Sequence, residues 1–120
     1  MDPFPPIMAW VMWLTGLPGC GKTTIANKVS SRLQEKGIAV KILQLDEIRR
    51  AITPVPRYTE EERDIVYASL AYMGKILAEA GVNVIIDATA NRRRYRDLAR
   101  RLVPHFAEVF IRAPLSVCME

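Results

Sequence analysis

The sequence is poor in cysteine and histidine. Its 120 residues include two cysteines, Cys20 and Cys118, and one histidine, His105. The cysteines stand far apart and Cys20 falls in a glycine-rich stretch, so no structural disulfide is expected and a reducing cytoplasm is. His105 follows Pro104 without metal-ligand neighbours and reads as structural. The apolar run at residues 7–14 is far too short to span a bilayer, and no basic residues precede it as they would a signal-peptide core. No membrane partner is expected. Internal repeats and low-complexity segments are also absent.

Half of the residues are hydrophobic and a quarter are charged, which supports a buried core under a soluble surface. The length suits one small domain. The expected organisation is a Pro-rich, disordered tail at residues 1–6 and a domain over residues 7–120. The formal charge of +4 suits an anionic ligand. Much of the excess sits in one run, Arg92, Arg93, Arg94 and Arg96, rather than along a stripe, so a nucleotide fits better than a nucleic acid.

Periodicity predicts a first strand over residues 7–15 and a helix over 22–36, with Ile25, Val29 and Leu33 as its apolar face and Gly37 as its C-terminal cap. A second strand is expected over 38–45, ending beside Asp46, followed by a helical turn to Ala51. A long helix starts near Thr59, where Thr59 and Glu62 have capping-box spacing, and ends at Gly81. Its expected stripe is Ile65, Val66, Leu70, Met73 and Leu77. A third strand (82–87), a basic helix (92–103) and a fourth strand (107–112) follow, and Pro114 opens a last helix. Alternation of strand and helix predicts an α/β fold, a parallel sheet with helices on both faces.

Gly16-Leu17-Pro18-Gly19-Cys20-Gly21-Lys22-Thr23 matches G-x-x-x-x-G-K-[ST], and Thr24 continues the run. Here the motif follows a predicted strand and opens a predicted helix. The glycines let successive backbone N–H groups form an anion nest, and the helix start adds its positive end. Lys22 is expected to reach the β- and γ-phosphates, and the Thr23 hydroxyl to ligate Mg2+. Cys20 reads as a small loop residue.

Parallel sheets bind ligands at the carboxyl ends of their strands. That places Asp46 and Asp87 near the γ-phosphate. Val84-Ile85-Ile86-Asp87 has the pattern of a strand whose aspartate holds magnesium. Asp46 suits a group that orients or deprotonates an acceptor hydroxyl, or else the N-cap of the following turn. Arg49 and Arg63 suit bidentate recognition of phosphate or sulfate, or a solvated surface. Arg92, Arg93 and Arg94 read as a solvated face, and Arg96 as a substrate contact.

These residues resemble the adenylylsulfate (APS) kinase family. Gly16-Leu-Pro-Gly-Cys-Gly-Lys-Thr-Thr24 is similar to its G-L-x-G-x-G-K-[ST]-T loop. Leu43-Gln-Leu-Asp46-Glu-Ile-Arg49 keeps the second Asp and the Arg of L-D-G-D-x-x-R. Tyr58-Thr-Glu-Glu-Glu-Arg63 keeps the aromatic and the arginine of F-S-x-x-D-R. Residues 106–120 resemble the F-x-E-V-[FY]-V-x-x-P-L-x-V-C-E stretch. The chain departs from the family pattern in three places: Val66 replaces an asparagine, Thr89-Ala-Asn-Arg92 replaces I-S-P-Y, and Gln44 and Leu45 stand where the family has Asp and Gly.

The resemblance implies strand order 2-3-1-4 with a fifth strand beyond these residues, a truncated C-terminus, and ATP with adenylylsulfate as substrates. It makes Asp46, Arg49, Tyr58, Arg63 and Arg96 acceptor contacts; the apolar edge of the fourth strand, without a neighbour, invites self-association as a homodimer. Asp87-Ala-Thr-Ala-Asn91 also resembles other P-loop kinases, among them polynucleotide kinases and the archaeal seryl-tRNA kinase, so a different hydroxyl acceptor, or an ATP-binding fragment without catalysis, is the alternative. A GTPase is discounted: Asn27-Lys28-Val29-Ser30 lacks the Asp of N-K-x-D and lies in a helix.

Overall fold

The computed structural model describes residues 9–16, 21–89 and 92–111. Leu17, Pro18, Gly19 and Cys20, the tail, and the stretch after Ile111 with its expected last helix lie outside them. The elements are β1 (Val11–Gly16), α1 (Lys22–Glu35), β2 (Val40–Gln44), α2 (Leu45–Ile52), α3 (Glu60–Glu79), β3 (Asn83–Asp87), α4 (Arg93–Leu102) and β4 (Phe106–Ile111). The four strands form one parallel sheet in the order β2-β3-β1-β4.

Both faces of the sheet are covered, because successive side chains of a strand point to opposite sides. Val11, Trp13, Val84 and Ile86 join Leu70, Ala71, Tyr95 and Ala99 in the larger core, under α3 and α4. Leu14 and Ile85 point the other way and meet Ala26 of α1. Because all four strands run the same way, their carboxyl ends share one rim with the start of α1 and the start of α2.

Several boundaries differ from the sequence expectation. The first strand begins at Val11, since Ala9 and Trp10 bond sideways, Ala9 N–H to the Ala78 carbonyl and Trp10 N–H to the Asn83 side chain. The second begins at Val40, because Ile38 N–H still closes the end of α1 on the Leu33 carbonyl. Asp46 does not end that strand. The Gln44 side chain accepts from Glu47 N–H at 2.8 Å and caps α2, which puts Asp46 in the first turn and removes the reading of Asp46 as the N-cap.

Side-chain burial corrects two stripes. In α1 the buried line is Lys22, Ala26 and Ser30, with Ile25 and Val29 beside it, because small residues let the helix lie close on the sheet. In α3, Ile65 is 61% exposed, and Tyr67, Ala71, Gly74 and Ala78 fill the inner face with Val66 and Leu70. The Thr59 hydroxyl oxygen does accept from Glu62 N–H at 3.1 Å. The Glu62 carboxylate, however, accepts from Arg57 N–H at 2.8 Å, so only half of the capping box forms.

Candidate active site

The rim holds a cleft of about 390 Å³, lined by Gly21, Lys22, Thr23 and Thr24 from the start of α1, Gln44, Leu45 and Asp46 from the β2–α2 junction, and Asp87, Ala88 and Thr89 from the end of β3. Gly21 takes φ 84°, a left-handed conformation open to glycine, and α1 starts there with no side-chain cap. The first-turn N–H groups of a helix have no carbonyl behind them. Here they belong to residues that line the cleft, which makes its floor an anion site.

Lys22 is 7% exposed and Asp87 4%. The Lys22 ammonium donates to the Gly16 carbonyl at 3.3 Å. Burial pushes the Lys22 pKa down, and the Asp87 and Asp46 carboxylates push it back up. The Thr23 hydroxyl donates to Asp87 Oδ2 at 2.7 Å. Two hard oxygen donors side by side at a phosphate cradle fit Mg2+, which takes few protein ligands and keeps waters.

Asp46 is exposed on the opposite wall, where Gln44 Nε2 donates to its carboxylate at 3.4 Å. Arg49 follows one turn later, half-buried. Its Nη1 lies 3.8 Å from Glu62 Oε1, and both atoms are buried without a hydrogen-bond partner among the described residues. Tyr58 is 64% exposed and has a positive φ of 57°, which is strained for a non-glycine residue. Arg63 is half-buried in the first turn of α3, close enough for its charge to act on the Tyr67 hydroxyl.

Arg96 is placed elsewhere. Its Nε donates to Glu108 of β4 at 3.2 Å, and it is not among the cleft-lining residues. Arg92, Arg93 and Arg94 pair with Glu60, Asp64 and Asp97, a solvated face as expected.

Trp13, Tyr67 and the capping role of Gln44 carry no motif signal in the sequence. Trp13 Nε1–H donates to the Ala88 carbonyl at 3.1 Å and the Tyr67 hydroxyl donates to the Thr89 carbonyl. The available signal was polarity: an indole or phenol placed on a core face needs a partner for its N–H or O–H.

A family model described as adenylylsulphate kinase matches residues 8–120. The adenylyl-sulfate kinase of Rippkaea orientalis is 38% identical over 109 residues, 91% of this chain and 60% of that protein. A probable adenylyl-sulfate kinase of Pyrococcus abyssi is 38% identical over 108 residues, 90% of this chain and 62% of that protein. The chain thus spans about three fifths of the length of these two relatives. The Mycobacterium tuberculosis APS kinase CysC, solved in complex with AMPPNP and APS, superposes with a TM-score of 0.85 at 30% identity, covering 95% of this chain and 68% of that one.

Proposed function

The chain belongs to the adenylylsulphate kinase family, and from that membership we propose that it transfers the γ-phosphoryl group of ATP to the 3′-hydroxyl of adenylylsulfate, giving 3′-phosphoadenylylsulfate and ADP. One observation carries the reading. A single cleft holds a buried lysine, a Thr23–Asp87 oxygen pair at 2.7 Å and, across from them, the acidic Asp46. That is a phosphate-and-metal wall facing a group able to take a proton. The M. tuberculosis relative was solved with an ATP analogue and APS together, which supports the same pair of substrates for this chain.

Each side chain then has a task. Lys22 and the first-turn N–H groups of α1 hold the β- and γ-phosphates and offset the charge that spreads over the moving phosphoryl group. Thr23 and Asp87 would hold Mg2+, which would offset the negative charge of the phosphates. Asp46 orients the acceptor hydroxyl and accepts its proton as the new P–O bond forms and the bond to the β-phosphate oxygen breaks. Arg49 and Arg63, with Tyr58 at the rim, hold the anionic and aromatic parts of adenylylsulfate. Arg96 is ion-paired with Glu108 of β4 and is given no task in this assignment.

The experiment is a turnover assay with ATP and adenylylsulfate set against a panel of other hydroxyl acceptors, nucleoside and polynucleotide ends included. Transfer to adenylylsulfate well above the panel is expected. Equal or greater transfer to another acceptor overturns the choice of substrate.

A further inference from the structure

Sheet pairing ends at Asp87. The register of β1 with β3 closes at Leu14 opposite Asp87, and that of β2 with β3 at Gln44 opposite Asp87. Ala88 and Thr89 continue along the cleft without a ladder to hold them. Among the described residues, their backbone is held by three hydrogen bonds. One is a long one, Ala88 N–H to the Leu14 carbonyl at 3.4 Å. The other two come from buried aromatic donors, Trp13 Nε1–H to the Ala88 carbonyl and the Tyr67 hydroxyl to the Thr89 carbonyl.

The donors are themselves fixed. Trp13 is 0% exposed and Tyr67 4%. Their rings stack at 6.2 Å between centroids, and Tyr67 stacks on Tyr95 at 4.2 Å with planes 9° apart. A phenylalanine would fill the same slot without the cost of burying a hydroxyl. The hydroxyl at position 67 is therefore informative, and it addresses a carbonyl on the cleft wall. The Arg49 guanidinium and Arg63 act on the same hydroxyl from the acceptor side.

We propose that Tyr67, backed by Trp13, is a positioning residue for phosphoryl transfer: the two donors hold the Asp87–Ala88–Thr89 wall so that the Asp87 carboxylate stays on Thr23. This rests on the phosphate-and-metal reading of the cleft given above. The two aromatic donors set where the segment after β3 runs once the sheet has ended, and that segment follows directly from Asp87, the last residue of β3. Loss of either donor lets the segment drift, and the oxygen pair that receives Mg2+ loses its alignment. Both donors belong to the core under α3 and α4, whereas Ala26 of α1 belongs to the core on the other face.

The test compares the full chain with Tyr67→Phe, Trp13→Phe, the double variant and Tyr95→Phe. Tyr95→Phe is the control, a phenol-to-phenyl change in the same stack whose hydroxyl lies near Arg94 and makes no hydrogen bond to Ala88 or Thr89. Calorimetry measures ADP affinity with and without Mg2+, and thermal unfolding is followed alongside. Tyr67→Phe should keep the Mg2+-free affinity within about twofold and lose roughly five- to tenfold of the gain that Mg2+ brings, the size of one hydrogen bond. The double variant should lose less than the product of the single losses, because both donors hold one segment. Tyr95→Phe should keep the whole gain. Equal losses with and without Mg2+, a lowered melting temperature with the gain intact, or no Mg2+ gain in the unaltered chain would each overturn the proposal. If the gain falls as expected while the unaltered chain transfers nothing to adenylylsulfate, the choice of acceptor fails and the role of Tyr67 stands.

Discussion

Replacing Lys22 by methionine keeps an unbranched stem in the same buried place and removes only the ammonium. Two effects then oppose each other in the empty cleft. The change discards a charge whose pKa is pushed down chiefly by burial, which relieves the fold. It also removes the bond to the Gly16 carbonyl at 3.3 Å and leaves Asp87, 4% exposed, without its nearby cation. Each effect is on the order of 1 kcal/mol, so the free energy of unfolding should move by less than about 1 kcal/mol. Nothing cancels the loss once a triphosphate is bound. A hydrogen bond to a charged group is worth about 1.5–3 kcal/mol, or roughly 10- to 150-fold in affinity. Calorimetric titration with ATP and Mg2+, set beside urea unfolding of the same variant, separates the two. An affinity loss under about threefold, or a stability loss beyond about 3 kcal/mol, would show that Lys22 serves the fold and not the phosphates.

The same lysine predicts a pH dependence. Its pKa in the folded protein lies below the unfolded value, so the unfolded chain binds more protons between the two and this group's contribution to stability rises with pH across that window. Bound phosphates favour the charged form, so ATP affinity should fall as pH climbs past the lowered value and flatten in Lys22→Arg; calorimetry between about pH 7 and about pH 10 reads it. Gly16→Ala puts a Cβ 2.6 Å from the Ile111 carbonyl oxygen at φ +142°, and thermal unfolding should show a loss of at least about 1–3 kcal/mol. Gly74→Ala, whose Cβ meets Ile86 Cδ1 at an ordinary 3.5 Å inside α3, should gain up to about 1 kcal/mol in the same assay. Asp46→Asn should cut turnover at least tenfold while costing no more than about 0.3–1 kcal/mol of stability, the worth of a charge in a first helical turn; a larger stability loss with turnover kept would make Asp46 a helix-start residue.

The parallel sheet and the phosphate end of the cleft were legible because they depend on short-range patterns, whereas the strand order followed from the family resemblance. Apolar strands alternate with helices, and the glycine-rich motif sits between one of each. What stayed hidden depends on distant partners. Gln44 caps α2 in place of Asp46, a competition between neighbours that periodicity does not weigh. Ile65 shares spacing with Val66 and Leu70, yet the sheet takes the side of α3 where small Ala71, Gly74 and Ala78 permit close approach. Arg96 depends on Glu108, twelve residues away on another element. Trp13 and Tyr67 grip carbonyls 75 and 22 residues away, and no window along the chain contains both ends of those bonds.

Gly16 is the first glycine of the phosphate motif, and its surroundings give that letter a different meaning. It pairs with Ile111 at the last rung between β1 and β4, where the Ile111 carbonyl leaves no room for a side chain. Of the two described motif glycines, Gly21 opens the helix, and Gly16 lets two strands touch at the point where the loop departs. A search pattern that treats them as equivalent therefore mixes a demand of the helix start with a demand of the sheet. A variant library built on this chain would separate the two. Substitutions at position 16 would be rejected even in a screen for folding without nucleotide, while at position 21, where a new Cβ meets nothing within 4 Å, rejection would come from backbone conformation alone.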